Sequence, residues 1–479
     1  MKKWLVTTGF LLGMIVGNGQ AFAADDDTGT PDAEELSYKE KKDLLTETAL
    51  EYDIPPEILK AIAYEEAQMR QFTEDGEPVM NENEDGGIGI MQVTLNEDDF
   101  ENREVDRERL KNDTAYNIQI GAELLNEKWE WTENLIPQVN NGDRHILENW
   151  YFAVLAYNGL DRRNDPNVSD DTYQEDLYGT MTSRNLLPSV DLPEFDAEYR
   201  EGENRMRFSE DDLHVTTETK TPSTQMFETG TKVYSYAEEP GSTINFRLEP
   251  SLSSRQVGDV PLYMPLTVEG ELEHDNSRDN HFGFYPFHYA DIHGYMASSY
   301  VREGEVTPFY DVRKQEVTEA VGFLEVRGII SGYPDGTFRP YEPILRRHAA
   351  AMLADALQLS TPDEYTMKAT DMESDDLGYN SMKAMEYHGL MTGSNGNIRP
   401  NEYMTRAQMA SVLTAAFEET LPAPSGNHNF DDVPADFWNY DAINQIYQSG
   451  LSNQDPFRPG EDVTRSQFAL FLKRAMTLE

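Results

Sequence analysis

The chain of 479 residues contains no cysteine. That excludes disulfides, thiolate metal sites and a lipidated N-terminal cysteine. Positive charge is scarce: 39 Lys plus Arg stand against 88 Asp plus Glu, a formal net charge of −49. Nucleic-acid binding is excluded, because phosphate contact needs a basic footprint. Acidity on this scale concerns solubility and repulsion rather than fold, and it suits a saline or alkaline exterior. After the N-terminus, no apolar run is long enough to span a bilayer. No His–Glu ligand cluster is apparent along the chain, so no metal and no cofactor are expected.

What is present begins with a leader. Lys2 and Lys3 precede an apolar run from Leu5 to Val16 and then Ala21-Phe22-Ala23. Residues 1–23 therefore read as a secretory signal peptide, with no membrane segment left after cleavage. Residues 24–36 form an acidic, polar leader expected to be disordered. The remaining length is too great for one core, so several domains are expected.

The stretch from Ile54 to Thr94 carries the clearest chemistry. Pro55 and Pro56 suit a helix entrance. Ile58, Leu59, Ile62 and Met69 fall on one side at helical spacing. At about 100° per residue, Glu66 lies roughly 35° from the centre of that stripe and Glu65 roughly 65°. Glu66 is thus the carboxylate more readily held against the core, where burial favours the protonated form that a general acid needs. In a chain this rich in acids, a Glu on a helix face is more often a solvated residue, and Glu65 stays a rival. A glycine-rich loop follows, Asp85-Gly86-Gly87-Ile88-Gly89, and runs into Ile90-Met91-Gln92. Glycines admit close backbone approach, and Gln92 offers both a donor and an acceptor.

Further on, Trp150 to Leu160 reads as an apolar helix ending in Tyr157-Asn158-Gly159. Lys111-Asn112-Asp113, Asn117-Ile118 and Gly121-Ala122-Glu123-Leu124-Leu125 lie between. In that order, these segments resemble the soluble lytic transglycosylases, lysozyme-like enzymes that cut peptidoglycan. The resemblance implies that residues 37–185 form an α-helical lysozyme-like domain. It implies Glu66 as general acid, with Gln92, Tyr157, Asn158, Gly89 and Met91 contacting the glycan strand. One departure is Ala67, where the family usually has Ser. Two other readings stay open. A hydrolytic muramidase would need a second carboxylate, for which Glu84 and Asp85 are placed by position alone. A catalytically silent wall-binding protein is favoured only by Ala67.

Residues 186–228 are polar, with Pro188, Pro193 and Pro222, and read as a linker that can fold in part onto the enzyme domain. Residues 229–304 alternate short β-type runs with turns, which suggests a small all-β barrel. Ile244 to Ser251 and Gly294 to Tyr300 resemble bacterial SH3-like domains of cell-wall proteins. Tyr285, Phe287 and Tyr289 read as barrel core or surface rather than as a ligand cleft.

From residue 305 the chain repeats at about 60 residues, in units 305–360, 361–422 and 423–479. Gly328 recurs as Gly389 and Gly450. Phe338-Arg339-Pro340 recurs as Ile398-Arg399-Pro400 and Phe457-Arg458-Pro459. Leu345-Arg346 recurs as Thr405-Arg406 and Thr464-Arg465, with each Thr placed as a helix N-cap. The pattern resembles a triplet of S-layer homology repeats. The resemblance implies a helical domain with pseudo-threefold symmetry that binds a pyruvylated secondary cell-wall polysaccharide, with Arg346, Arg406 and Arg465 gripping its carboxylates. A single Arg here is as readily a residue paired to the neighbouring repeat. Leu345 and His348 depart from the usual Thr and Glu, the loops of units two and three are short, and Trp438 occurs only in unit three. The whole is expected to be multidomain and mainly α, secreted and held at the cell wall.

Overall fold

The computed structural model describes residues 35–81, 86–132, 134–239, 242–289, 291–307, 309–422 and 426–478. The stretches read as a signal peptide and nearly all of the acidic leader, as well as Glu84 and Asp85, lie outside the described residues.

The first body is helical. Helix α1 (Tyr38–Glu51) starts at Ser37, whose side chain and that of Glu40 cap each other's backbone N–H groups. Helix α2 (Pro56–Ala67) opens on the proline pair and stops where Gln68 turns left-handed, at φ 55°. The short helices α3 (Glu97–Asn102) and α4 (Arg107–Asn112) lead into α5 (Thr114–Trp129), capped by Asp113. Strand β1 (Gln138–Val139) precedes α6 (Tyr151–Asn158), of which Tyr151 to Ala156 are buried, and then α7 (Tyr173–Asn185). Ile58, Leu59, Ile62 and Met69 are fully buried, as the periodicity predicts.

The stretch read as a linker is packed against this body. Strand β2 (His214–Val215) pairs in parallel with β1. Phe195 and Phe208 pack edge-on against Phe152, at ring separations of 5.0 and 5.5 Å. Glu148, fully buried, accepts from the Thr221 backbone N–H and hydroxyl, both at 2.7 Å. A few aromatic anchors and buried carboxylates thus fix a segment whose polar composition hides them.

The second body holds seven strands: β3 (Lys232–Ser235), β4 (Thr243–Arg247), β5 (Gln256–Pro261), β6 (Pro265–Thr267), β7 (Phe284–Tyr289), β8 (Ile292–Ala297) and β9 (Val301–Glu303). They form two antiparallel sheets, ordered β6-β3-β9 and β5-β4-β8-β7, not one closed barrel. Tyr285 and Phe287 are fully buried in their shared core.

The third body has two helices per repeat: α8 (Gln315–Glu325) and α9 (Arg346–Ala356), α10 (Tyr379–Tyr387) and α11 (Arg406–Ala416), α12 (Tyr440–Gln448) and α13 (Arg465–Met476). Each second helix packs on the first helix of the next repeat, and α13 returns to α8, closing a ring. Thr405 and Thr464 cap their helices with Gln408 and Gln467, whereas Leu345 offers no side-chain cap. One apolar core runs from the sheets into these repeats, with Tyr263 edge-on to Phe323 at 6.2 Å. Thirteen α-helices and two main sheets make the described chain a mixture of helix and sheet, where mainly α was expected. No described helix is long and apolar enough to cross a membrane.

Candidate functional site

Glu66 is on the last turn of α2 and is half-buried. Tyr157, near the end of α6, and Tyr173, opening α7, close around it. Burial, and next the Glu66 carboxylate, push both phenols well above their ordinary pKa. Both therefore stay neutral beside the acid. The Tyr173 hydroxyl is buried and lies within electrostatic reach of Glu66, with no well-aligned hydrogen bond among the described residues. Tyr157 donates to the Met91 carbonyl at 2.8 Å, which ties α6 to the glycine loop. Glu65 is also half-buried but is engaged elsewhere: its carboxylate accepts from the Thr180 hydroxyl of α7. Burial does not separate the two glutamates; their partners do.

The loop is held by two buried amides. Gln71 accepts from the Ile90 N–H at 2.9 Å, and its NH2 donates to the Leu110 and Lys111 carbonyls. Asn117 accepts from the Met91 N–H at 3.0 Å and donates to the Ile88 and Leu110 carbonyls. Gly89 sits between them at φ 73°, and a Cβ there would collide with both amides. Its role is thus conformational as well as spatial. Met91 has its side chain buried against Gly121, so its polar contribution is its backbone carbonyl. Gln92 is half-buried and bonds back to the Gly89 carbonyl at 2.8 Å. The Asn158 amide oxygen accepts from Asn164 at 3.0 Å and Arg163 at 3.2 Å, which shapes the turn after α6.

The three repeat arginines form a cycle. Arg346 Nε donates to the Ile398 carbonyl at 3.0 Å, Arg406 to Phe457 at 2.6 Å, and Arg465 to Phe338 at 2.8 Å. Each thus reaches the next repeat, and all three are buried. Asp311, Asp371 and Asp432 match this symmetry: each accepts two backbone N–H groups from its own repeat's Arg-Pro loop. Arg406 differs in one respect: its Nη2 is buried with no hydrogen-bond partner among the described residues. It lines a cavity of about 460 Å³, to which all three repeats contribute, with Lys314, Tyr341, Gln454, Thr464 and Arg474.

Residues 43–176 match the family model described as the transglycosylase SLT domain. Residues 308–350, 370–410 and 429–469 each match the S-layer homology domain. The chain carries an SLT domain and three S-layer homology repeats. It is similar to an exoglucanase of Acetivibrio thermocellus, 26% identical over 34% of this chain and 16% of the relative. It is likewise similar to the S-layer protein sap of Bacillus anthracis, 26% identical over 33% of this chain and 19% of the relative. An uncharacterized cell wall amidase of the same organism is 28% identical over 32% of this chain and 29% of that protein. The chain thus spans less than a third of each of these relatives.

Within the SLT domain, sequence reasoning missed Tyr173 and Thr180. Both come from α7, more than 100 residues from α2, and no local motif marks them. Gln71 was missed too; a buried Gln just after the acid's helix, ahead of a glycine loop, was the available signal.

Proposed function

We propose that this is a secreted, wall-anchored peptidoglycan lytic transglycosylase. The observation that carries the reading is Glu66 within electrostatic reach of the neutral phenols of Tyr157 and Tyr173, the first of which is tied to the pinned glycine loop. Glu66 gives its proton to the oxygen linking N-acetylmuramic acid to N-acetylglucosamine, and the C1–O bond breaks. The carboxylate then takes the proton from the muramic acid's own 6-hydroxyl as O6 closes on C1. The product is a 1,6-anhydro ring, with no water consumed and no second carboxylate needed. A positioned acid accounts for about 10²–10⁴-fold of the rate; hydrogen-bonding groups around the cleft supply more.

The S-layer homology repeats hold the enzyme on a pyruvylated secondary wall polysaccharide. In the cavity beside Arg406, four cations (Arg313, Lys314, Arg406 and Arg474) face Asp311 and Glu316. Asp311 is already occupied by two backbone N–H groups. This local positive balance, within a chain of charge −49, suits a carboxylate-bearing glycan. The open two-sheet module retains its SH3-like reading as a spacer or wall-peptide binder.

The test is mass spectrometry of digested sacculi, with wild type beside Glu66→Gln. Anhydro ends that vanish in the variant support the reading. Reducing ends would mean a muramidase, and equal residual activity would make Glu66 a bystander and the SLT domain a glycan-binding module.

A further inference from the structure

The β7–β8 hairpin brings together two residues that the sequence keeps five apart. His288 and His293 are directly opposed across the antiparallel pair, and their rings stack at 4.5 Å between centroids. Both are exposed, on the outer face, while Phe287 and Gly294 beside them are buried. Glu269 arrives from a different place, the segment leaving β6. Its backbone N–H donates to the Pro286 carbonyl at 3.1 Å, and its carboxylate lies 3.1 Å from His293 Nδ1. One ligand atom from each of the three residues lies within 4.8 Å of the other two. The expectation of no His–Glu cluster fails here, because Glu269 and His288 stand 19 positions apart in the sequence.

We propose that Glu269, His288 and His293 form a binding site for a zinc-type divalent ion. Two imidazoles and one carboxylate are a donor set that zinc takes in tetrahedral sites. Ligand atoms on one such ion stand roughly 3.3 Å apart, so modest side-chain rotation closes the observed spread. The two histidines are placed by strand pairing, so little backbone order is lost on binding. An acidic surface attracts any divalent cation, but imidazole pairs select borderline metals over hard ones such as Mg2+ or Ca2+.

The location supplies a role. Glu269 follows β6 of the three-stranded sheet, while His288 is on β7, the edge strand of the four-stranded sheet. An ion held by all three ties the edge of one sheet to the other at a place where the strands do not close into a barrel. In a chain without cysteine, a metal clip is the available strong crosslink between them.

The experiment uses the full chain and ZnCl2, with excess Mg2+ present to occupy the carboxylates. Calorimetry should give one tight equivalent of zinc. The ring C–H resonances of two of the nine histidines should shift. Zinc should also raise the melting temperature of the wild type by mass action. His288→Gln and His293→Gln should each weaken binding by at least about tenfold, the scale on which even outer contacts of metal sites act. Glu269→Gln should weaken it as well and reduce the thermal shift. Because all three side chains are exposed, far-UV circular dichroism of each variant should match wild type. Zinc binding that survives the histidine substitutions, or that Mg2+ competes away, overturns the proposal.

Discussion

The Lys60 ammonium and the His274 Nε2 lie 2.9 Å apart, buried where helix α2 meets the loop between β6 and β7. The other ring nitrogen of His274 faces Asp43 Oδ1 at 2.9 Å. Accepting from Lys60 and donating to Asp43 makes this imidazole neutral, with its proton on Nδ1. Burial, and then Lys60, push the His274 pKa down to about 3. Burial pushes Lys60 down to about 7, against the pull of Glu57. Gln225 and Thr46 also accept from Lys60, and Lys42 bonds Asp275 and two carbonyls of the same loop. The helix that carries Glu66 is therefore seated directly on the sheet module, which in turn shares its core with the S-layer homology repeats.

This seam should strengthen as pH rises. Both groups bind protons more readily when unfolded, at the ordinary values of 6.5 for His274 and 10.5 for Lys60. Protonating the unfolded state favours unfolding. The His274 contribution is thus lost as pH falls from 6.5 toward about 3, and that of Lys60 as pH falls from 10.5 toward about 7. Melting curves across this range should show stability rising into the alkaline side. Lys60→Met, apolar and of similar length, should flatten the slope above about pH 7. A variant that keeps the full alkaline slope would show that Lys60 titrates much as it does in water.

Activity should depend on Tyr173 without stability doing so. Its hydroxyl is buried beside Glu66 and makes no well-aligned hydrogen bond among the described residues, so Tyr173→Phe should cost little or no stability. Stability should stay level or rise by up to about 1 kcal/mol. Turnover on purified peptidoglycan should fall about tenfold, the equivalent of one hydrogen bond, because the phenol is placed to donate to Glu66 as its carboxylate gains charge, while sacculus binding is kept. Tyr157→Phe should lose activity and also about 1 kcal/mol of stability, because its bond to the Met91 carbonyl is made. Urea melts beside muropeptide release separate the two cases.

How much of this was legible in the sequence depends on distance along the chain. Helix α2, the glycine loop and α6 announce themselves through local spacing, and the periodic stripe correctly buries Ile58, Leu59 and Ile62. Tyr173 and Thr180 were not legible, because only tertiary packing brings α7 to α2. The strap of residues 186–228 was legible only as a linker able to fold in part onto the first domain: Phe195, Met206 and Phe208 are few, yet they pack into the SLT-domain core. Strand β5 leaves little trace in the sequence because Gly258 and Asp259 interrupt its β pattern, although it pairs along all of β4. The repeats were legible because each unit restates the last. Their arginines looked equivalent in sequence, and only the fold separates Arg406 from the other two.

Gly89→Ala should be among the most damaging single substitutions in the SLT domain. The residue has φ 73°, and a Cβ there would meet the amides of Asn117 and Gln71. Left-handed strain alone costs about 1–3 kcal/mol, and displacing either amide breaks bonds that hold Ile90 and Met91. The melting temperature should drop clearly, and activity should fall further than the unfolded fraction explains. Gly86→Ala is the control: φ is also positive, at 71°, but no atom stands within 4 Å of the added carbon. Similar effects at both positions would mean that the pinned loop does not matter.

The repeat arginines should divide by function. Arg346→Ala, Arg406→Ala and Arg465→Ala each remove a charged hydrogen bond to the next repeat. Each should cost about 1.5–3 kcal/mol, visible as a lowered melting temperature. Wall affinity should follow a different order, because Arg406 alone among them has a buried Nη2 without a partner among the described residues, beside the cavity shared by the three repeats. Arg406→Lys keeps the charge but loses the planar fork that grips a carboxylate from two sides. Cosedimentation with purified walls should therefore show Arg406→Lys binding much more weakly than Arg346→Lys or Arg465→Lys. Walls stripped of pyruvate should erase that difference while leaving residual binding. Equal losses across the three lysine variants would assign these arginines to ring closure alone and move the glycan contact elsewhere.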